Sequence, residues 1–219
     1  MKGLGRNLKY WFIYFIKTFC LVSAMMVGIT VVTTSMDGDF SIVRILNQAA
    51  GYVAFVSVLL VMVYAFNNVI VNFPLTVSFG STRLPSLLGM EIAQHIITLI
   101  GLIIAIGFYS ISNIELVKNY ITLWPLILAA VFVMHALGSL ISIFSLRFGR
   151  TLGMILYIAF ILACTVTFTL IMINTNSPAE VLAAMLSVPW ALIALAGLVL
   201  DAIFFLALYG VLKKKNIDF

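Results

Sequence analysis

The sequence predicts an all-α, polytopic membrane protein with six transmembrane helices, an N-terminal interfacial helix and both termini in the cytoplasm. Three observations lead there. Composition comes first: 64% of the 219 residues are hydrophobic and 9% are charged, where an ordinary soluble domain carries about 25% charged residues. With a mean hydropathy of +1.23, the chain cannot cover itself with a water-facing surface. Spacing comes second: the apolar residues fall into six runs, each near the ~20 residues that cross ~30 Å of hydrocarbon. Charge comes third. Of twelve Lys and Arg residues, all but Arg44 and Lys118 fall on one side of those runs. That side is the cytoplasm by the positive-inside rule. An even number of spans requires both termini to share it.

Taken in order, the chain opens with "MKGLGRNLKYWFIYF". Leu4, Leu8, Trp11 and Phe15 recur at helical spacing, while Lys2, Arg6 and Lys9 lie mostly away from them. This is the pattern of a helix lying in the headgroup layer over residues 1–11; a frayed basic tail is the plainer alternative. Span 1, Phe12 to Thr33, is too long for a signal-peptide core and has no small-residue cleavage site, so it reads as retained. Span 2 is Ala50 to Val71, span 3 Leu87 to Tyr109, span 4 Ile121 to Phe144, span 5 Thr151 to Ile173 and span 6 Val188 to Leu212. Together they make one transmembrane domain over 1–219. The outer loops are short. In the third, Ser177 and Pro178 suit the cap and first position of a helix, and Pro189 breaks the chain again. A short extracellular or re-entrant helix over 177–189 is expected, with an irregular loop as the alternative.

The inner segment 72–86 is punctuated by Pro74, Gly80 and Pro85. Phe73-Pro74 ends or bends span 2. The stretch that follows, "LTVSFGSTR", can form a short helix or turn that presents Phe79, with Gly80 letting the backbone turn and Arg83 marking the cytosol. A short transverse helix bearing an aromatic side chain fits a groove in a peripheral subunit. A plain connection is equally compatible with the spacing.

Four ionisable residues lie within the spans, where such groups are candidates for function and also for structure. Glu91 and His95 are four apart and share one face near the start of span 3. Glu91 reads either as a contact for a substrate or partner, or as a first-turn acid favoured by the helix dipole. His135 lies twelve residues before Arg147, and Asp201 twelve before Lys213. Both are therefore ~18 Å in from the basic ends, near mid-membrane, where a lone aspartate is costly. They are expected to pair or to line one polar path. Glu91 and His95, near the cytoplasmic start of span 3, read as a different level, which argues against one site holding all four.

Other chemistry is missing from the sequence. There is no phosphate-cradling GxxxxGK[ST], no HExxH and no GxSxG. Cys20 and Cys164 lie inside apolar runs and read as packing residues. No inverted repeat supports a self-sufficient secondary transporter, and no filter-like loop supports a channel. ATP-driven work would have to come from another subunit.

In layout the chain resembles a membrane subunit of an ABC-2-type (type V exporter-like) transporter. The resemblance covers almost the whole chain. It rests on "GRNLKYWFIYF", on six spans with both termini inside, on "FPLTVSFGSTR" between spans 2 and 3, and on "SPAEVLAAMLSVP" before span 6. "SFGSTR" is similar to a patch in small bacterial members, although those often follow the arginine with further basic charge, where this chain has Leu84 and Pro85. The resemblance implies a permease that is not itself an enzyme and holds no cofactor. ATP and Mg would be on separate ATPase subunits, and a second permease chain, identical or not, would complete a dimer. Spans 1, 2 and 5 would face the central path or that second chain. Phe73, Phe79, Gly80 and Arg83 would couple to the ATPase. The substrate would be a peptide or other amphipathic molecule exported across the cell membrane; no nucleic-acid partner is implied. The alternatives are the substrate-binding membrane subunit of an energy-coupling-factor vitamin importer, and a non-transport immunity or assembly protein. An integral membrane enzyme would have only Glu91, His95, His135 and Asp201 to work with.

Overall fold

The computed structural model describes residues 3–36, 41–78, 82–112, 124–174 and 188–214. Among these there is no strand. Six long helices make the body: α1 (Leu4–Met36), α2 (Ile42–Asn67), α4 (Arg83–Ser112), α5 (Trp124–Phe148), α6 (Arg150–Asn174) and α7 (Trp190–Lys214), with the short α3 (Phe73–Ser78) between α2 and α4. Five of them, α1, α2, α4, α5 and α7, are long and apolar enough to cross a membrane. In α6 the described apolar stretch, Arg150–Ala163, is shorter. Their outward residues are apolar, among them Leu21, Met25, Phe55, Ile103, Ile155, Leu195 and Leu206. Such a surface suits lipid and not water.

Helices follow from the solvent. With no water in hydrocarbon to satisfy N–H and C=O groups, each segment must close its own hydrogen bonds. Side-chain hydroxyls obey the same rule. In α1 the Oγ1 of Thr30 donates to the Met26 carbonyl at 2.9 Å, and that of Thr34 to the Thr30 carbonyl at 2.7 Å.

α2 lies at the centre, against α1, α4 and α5; α5 in turn carries α7 and α6. The approaches are close where glycine removes the side chain. A Cβ on Gly138 of α5 would lie 2.7 Å from the Met62 carbonyl of α2. Just below, the Ser142 hydroxyl donates to the Ala65 carbonyl at 2.7 Å. Gly101 of α4 admits Ser57 and Phe19, and Gly197 of α7 sits on Phe132 and Val133 of α5. Gly28 and Gly107, by contrast, face open space. The turn from α5 to α6 is the single residue Gly149, at φ +106°, where a side chain is disfavoured.

One expectation is corrected and another is narrowed. No separate interfacial helix precedes span 1: α1 runs unbroken from Leu4 to Met36. Its apolar stripe is present, but Trp11 and Phe15 are fully buried and stacked, with Phe15 against Tyr64 at 4.4 Å between centroids. The stripe meets protein. α4 crosses it so closely that a Cβ on Gly89 would lie 3.1 Å from the Leu8 backbone. Of the two readings of Pro74, an end or a bend of the second span, the end is ruled out. The helix passes through a π-turn, Asn68–Asn72, in which the Phe73 N–H reaches back to the Asn68 carbonyl, and goes on as α3. The widened turn absorbs the proline, which has no N–H to place in a regular ladder. Asn72 Nδ2 secures it by donating to Asn68 Oδ1 at 2.7 Å and to the Tyr14 hydroxyl at 3.1 Å. The expected outer helix over 177–189 falls almost wholly outside the described residues.

Candidate functional site

The site is built from three helices. α4 supplies Glu91, Gln94 and His95 from consecutive turns, α5 supplies His135 and α7 supplies Asp201. Spacing of three and four along α4 puts its three side chains on one face. Gly197, one turn before Asp201, lets α7 lie close on α5.

His135 is the hub, at 1% exposure. Its Nδ1 hydrogen-bonds Asp201 Oδ1. Its Nε2 lies 2.8 Å from Glu91 Oε2 and in contact with Gln94 Nε2. Gln94, fully buried, also donates from Nε2 to Glu91 Oε2 at 2.6 Å. The His95 ring packs 4.7 Å from that of His135. Its Nδ1 lies 2.8 Å from the Glu91 carbonyl, and its Nε2 lies 3.7 Å from Asp201 Oδ2.

The donors can be assigned. A backbone carbonyl only accepts, so His95 Nδ1 carries its hydrogen. A carboxylate accepts as well, so His135 Nδ1 donates to Asp201. Neutral imidazole has one donor and one acceptor nitrogen. His95 thus turns its Nε2 into the cluster, while His135 Nε2, 2.8 Å from a Glu91 carboxylate oxygen, can donate there as Nδ1 donates to Asp201, making His135 a bridge between two carboxylates. One group is left over: Gln94 Oε1 is buried and has no hydrogen-bond partner among the described residues.

The expected separation of these residues into two depths does not hold. Glu91 is eight residues from Arg83, ~12 Å by helical rise, and His135 is ~18 Å from Arg147. The ~6 Å difference presumed that each arginine marks the same plane. Side-chain length alone spans it, and all four ionisable residues meet. Gln94 was not singled out from the sequence. Its signal was its place three residues after Glu91 on the same face.

Two of the residues assigned to coupling, Phe73 and Arg83, are engaged within the chain. Phe73 is fully buried in the main apolar core. Arg83 Nη1 donates to the Leu212 and Lys213 carbonyls at 2.6 and 3.0 Å, tying the start of α4 to the end of α7. Phe79 and Gly80 lie outside the described residues.

Compared with known proteins, the chain matches no family model, no curated protein and no solved structure.

Proposed function

We propose that this chain is the permease subunit of an ATP-driven exporter, coupled to separate ATPase subunits and moving a peptide or other amphipathic substrate out of the cell. The observation that carries this reading is the α2–α3–α4 junction. There a membrane helix continues through a π-turn into a short helix, and the next span begins with an arginine hooked on the carboxyl end of α7. A load applied to residues 79–82 by a peripheral subunit would be passed to α4 and α7 together. Those two helices meet again at the Glu91–His135–Asp201 cluster, so a shift of either would be felt in mid-bundle. The chain contributes a path and two packings; hydrolysis belongs to the partner. A second permease chain would cover the exposed apolar faces of α1 and α6.

The test is affinity purification from native membranes in mild detergent. An ATP-binding subunit should co-purify, and Phe79→Asp should release it without lowering the amount of inserted protein. Recovery of the folded chain with no ATPase would overturn the reading. Unchanged retention in Phe79→Asp would remove 79–82 as the point of contact.

A further inference from the structure

We propose that Glu91, His95 and His135 form a binding site for a divalent first-row transition-metal cation, with Asp201 as the outer carboxylate that orients His135. Glu91, His95 and His135 each offer one ligand atom, and these atoms lie within 4.8 Å of one another. The hydrogen-bond assignment sharpens that proximity. Both imidazoles spend their Nδ1 hydrogens on oxygens, His135 on Asp201 and His95 on the Glu91 carbonyl. Both Nε2 atoms thereby face the cluster, that of His135 2.8 Å from Glu91 Oε2, where a cation would replace a proton between them. This is how metal-bound histidines are held: the second nitrogen donates to a carboxylate or a backbone carbonyl, which fixes the tautomer and the ring. Three lone-pair donors converging in a nearly closed interior call for a cation.

Gln94 supplies an independent observation. Its amide nitrogen now sits against Glu91 Oε2, to which it donates, and His135 Nε2, where a cation would serve the same two atoms. Its Oε1 is buried without a partner, and buried polar atoms are rarely left so. Turning the amide over would bring Oε1 into the cluster. Without a cation that rotation sets Oε1 against the Glu91 carboxylate. With a cation it adds a fourth, oxygen ligand and satisfies the orphan.

Charge and ligand chemistry agree. Two carboxylates lie among apolar helices with no Lys or Arg in contact with them among the described residues, and one protonated imidazole offsets only one of the two charges. A divalent ion on two neutral imidazoles cancels both, and an uncompensated charge in such a medium is costly. Two nitrogens and one or two oxygens suit zinc and its neighbours better than magnesium or calcium, and the absence of thiolate disfavours copper(I). Zinc bonds of ~2.0–2.2 Å place tetrahedral ligands ~3.3 Å apart. Glu91 and His135, at 2.8 Å, need open by only about half an ångström; the widest pair, which includes His95, must close by ~1.5 Å, within the reach of a side-chain rotamer. His95, with 31% of its side chain exposed, marks the side from which an ion would enter.

The experiment uses the full chain, purified in detergent with its tag removed, stripped with EDTA and equilibrated with zinc sulfate or magnesium chloride. Bound metal is measured by mass spectrometry and the ligand set by zinc X-ray absorption. One zinc per chain is expected, with two imidazoles in its shell, no retained magnesium, and a rise in melting temperature on adding zinc. His95→Gln, at the more open ligand, should keep the fold by circular dichroism and gel filtration yet weaken zinc binding at least tenfold; Asp201→Asn should weaken it about 10–100-fold through His135. A folded wild-type chain that retains no zinc, zinc held without imidazole, or wild-type affinity in folded His95→Gln would each overturn the site.

Discussion

Asp201 decides how the interior polar groups of α5 and α7 are satisfied. It is the acceptor for His135 Nδ1, and no other acceptor among the described residues replaces it. In metal-free protein, Asp201→Leu should therefore cost about 1–3 kcal/mol, the penalty for stranding a buried donor. Asp201→Asn keeps an oxygen at the same place and should recover most of the loss. Thermal unfolding of both variants in detergent measures the difference, and equal losses would mean that the hydrogen bond does not matter. Sequence reasoning reached this pair because helical rise from a basic end gives depth, and two polar groups at one depth need each other. It did not reach Gln94, because an amide carries no charge to explain and its value lies in neighbours from another helix. It misplaced Trp11 for a related reason. Periodicity tells which face of α1 is apolar, but lipid and protein interior are both apolar, so the stripe alone does not say which it meets.

At the scale of elements, the separation of α2 and α5 rests on Gly138. A side chain there would press on the Met62 carbonyl, which is backbone and cannot swing aside. Gly138→Val should destabilise the chain by about 1–3 kcal/mol through overpacking, read as a lowered melting temperature. Gly107→Ala, facing open space, should leave it nearly unchanged. Arg83 makes a second element-level prediction. Losing its bonds to the Leu212 and Lys213 carbonyls should let the last turn of α7 fray. Arg83→Ala should raise backbone hydrogen exchange over 209–213, and Arg83→Lys should restore protection only in part, because a lysine lacks the guanidinium fork. The sequence marked Pro74 as a place where the helix must change. It did not say how, since a proline can be met by a break, a kink or a widened turn. Only the Asn72 bonds to Asn68 and Tyr14, the latter from a distant helix, favour the turn.

For the whole molecule, the order of the described helices was legible, because six apolar runs leave little else to build. What covers what was not, since every run has the same period and almost the same composition. Orientation in the bilayer rests on lysine and arginine alone and can be checked directly. In a Cys20→Ser, Cys164→Ser background, a cysteine at Gly149 should be shielded from an impermeant maleimide added to intact cells, and one at Ser41 should react; the reverse pattern would invert the topology. The polar cluster has one more consequence, for biogenesis. Its members enter the membrane in the order Glu91, Gln94, His95, His135 and last Asp201, because α7 follows the other long helices described. Until α7 arrives, His135 carries an unaccepted N–H inside a bundle whose other helices are already in place. A nascent chain is thus under-satisfied at this cluster until Asp201 has been added. One stalled before Trp190 would display that defect to an insertase or a membrane protease. The same contact that closes the bundle also distinguishes a chain that has acquired α7 from one that has not.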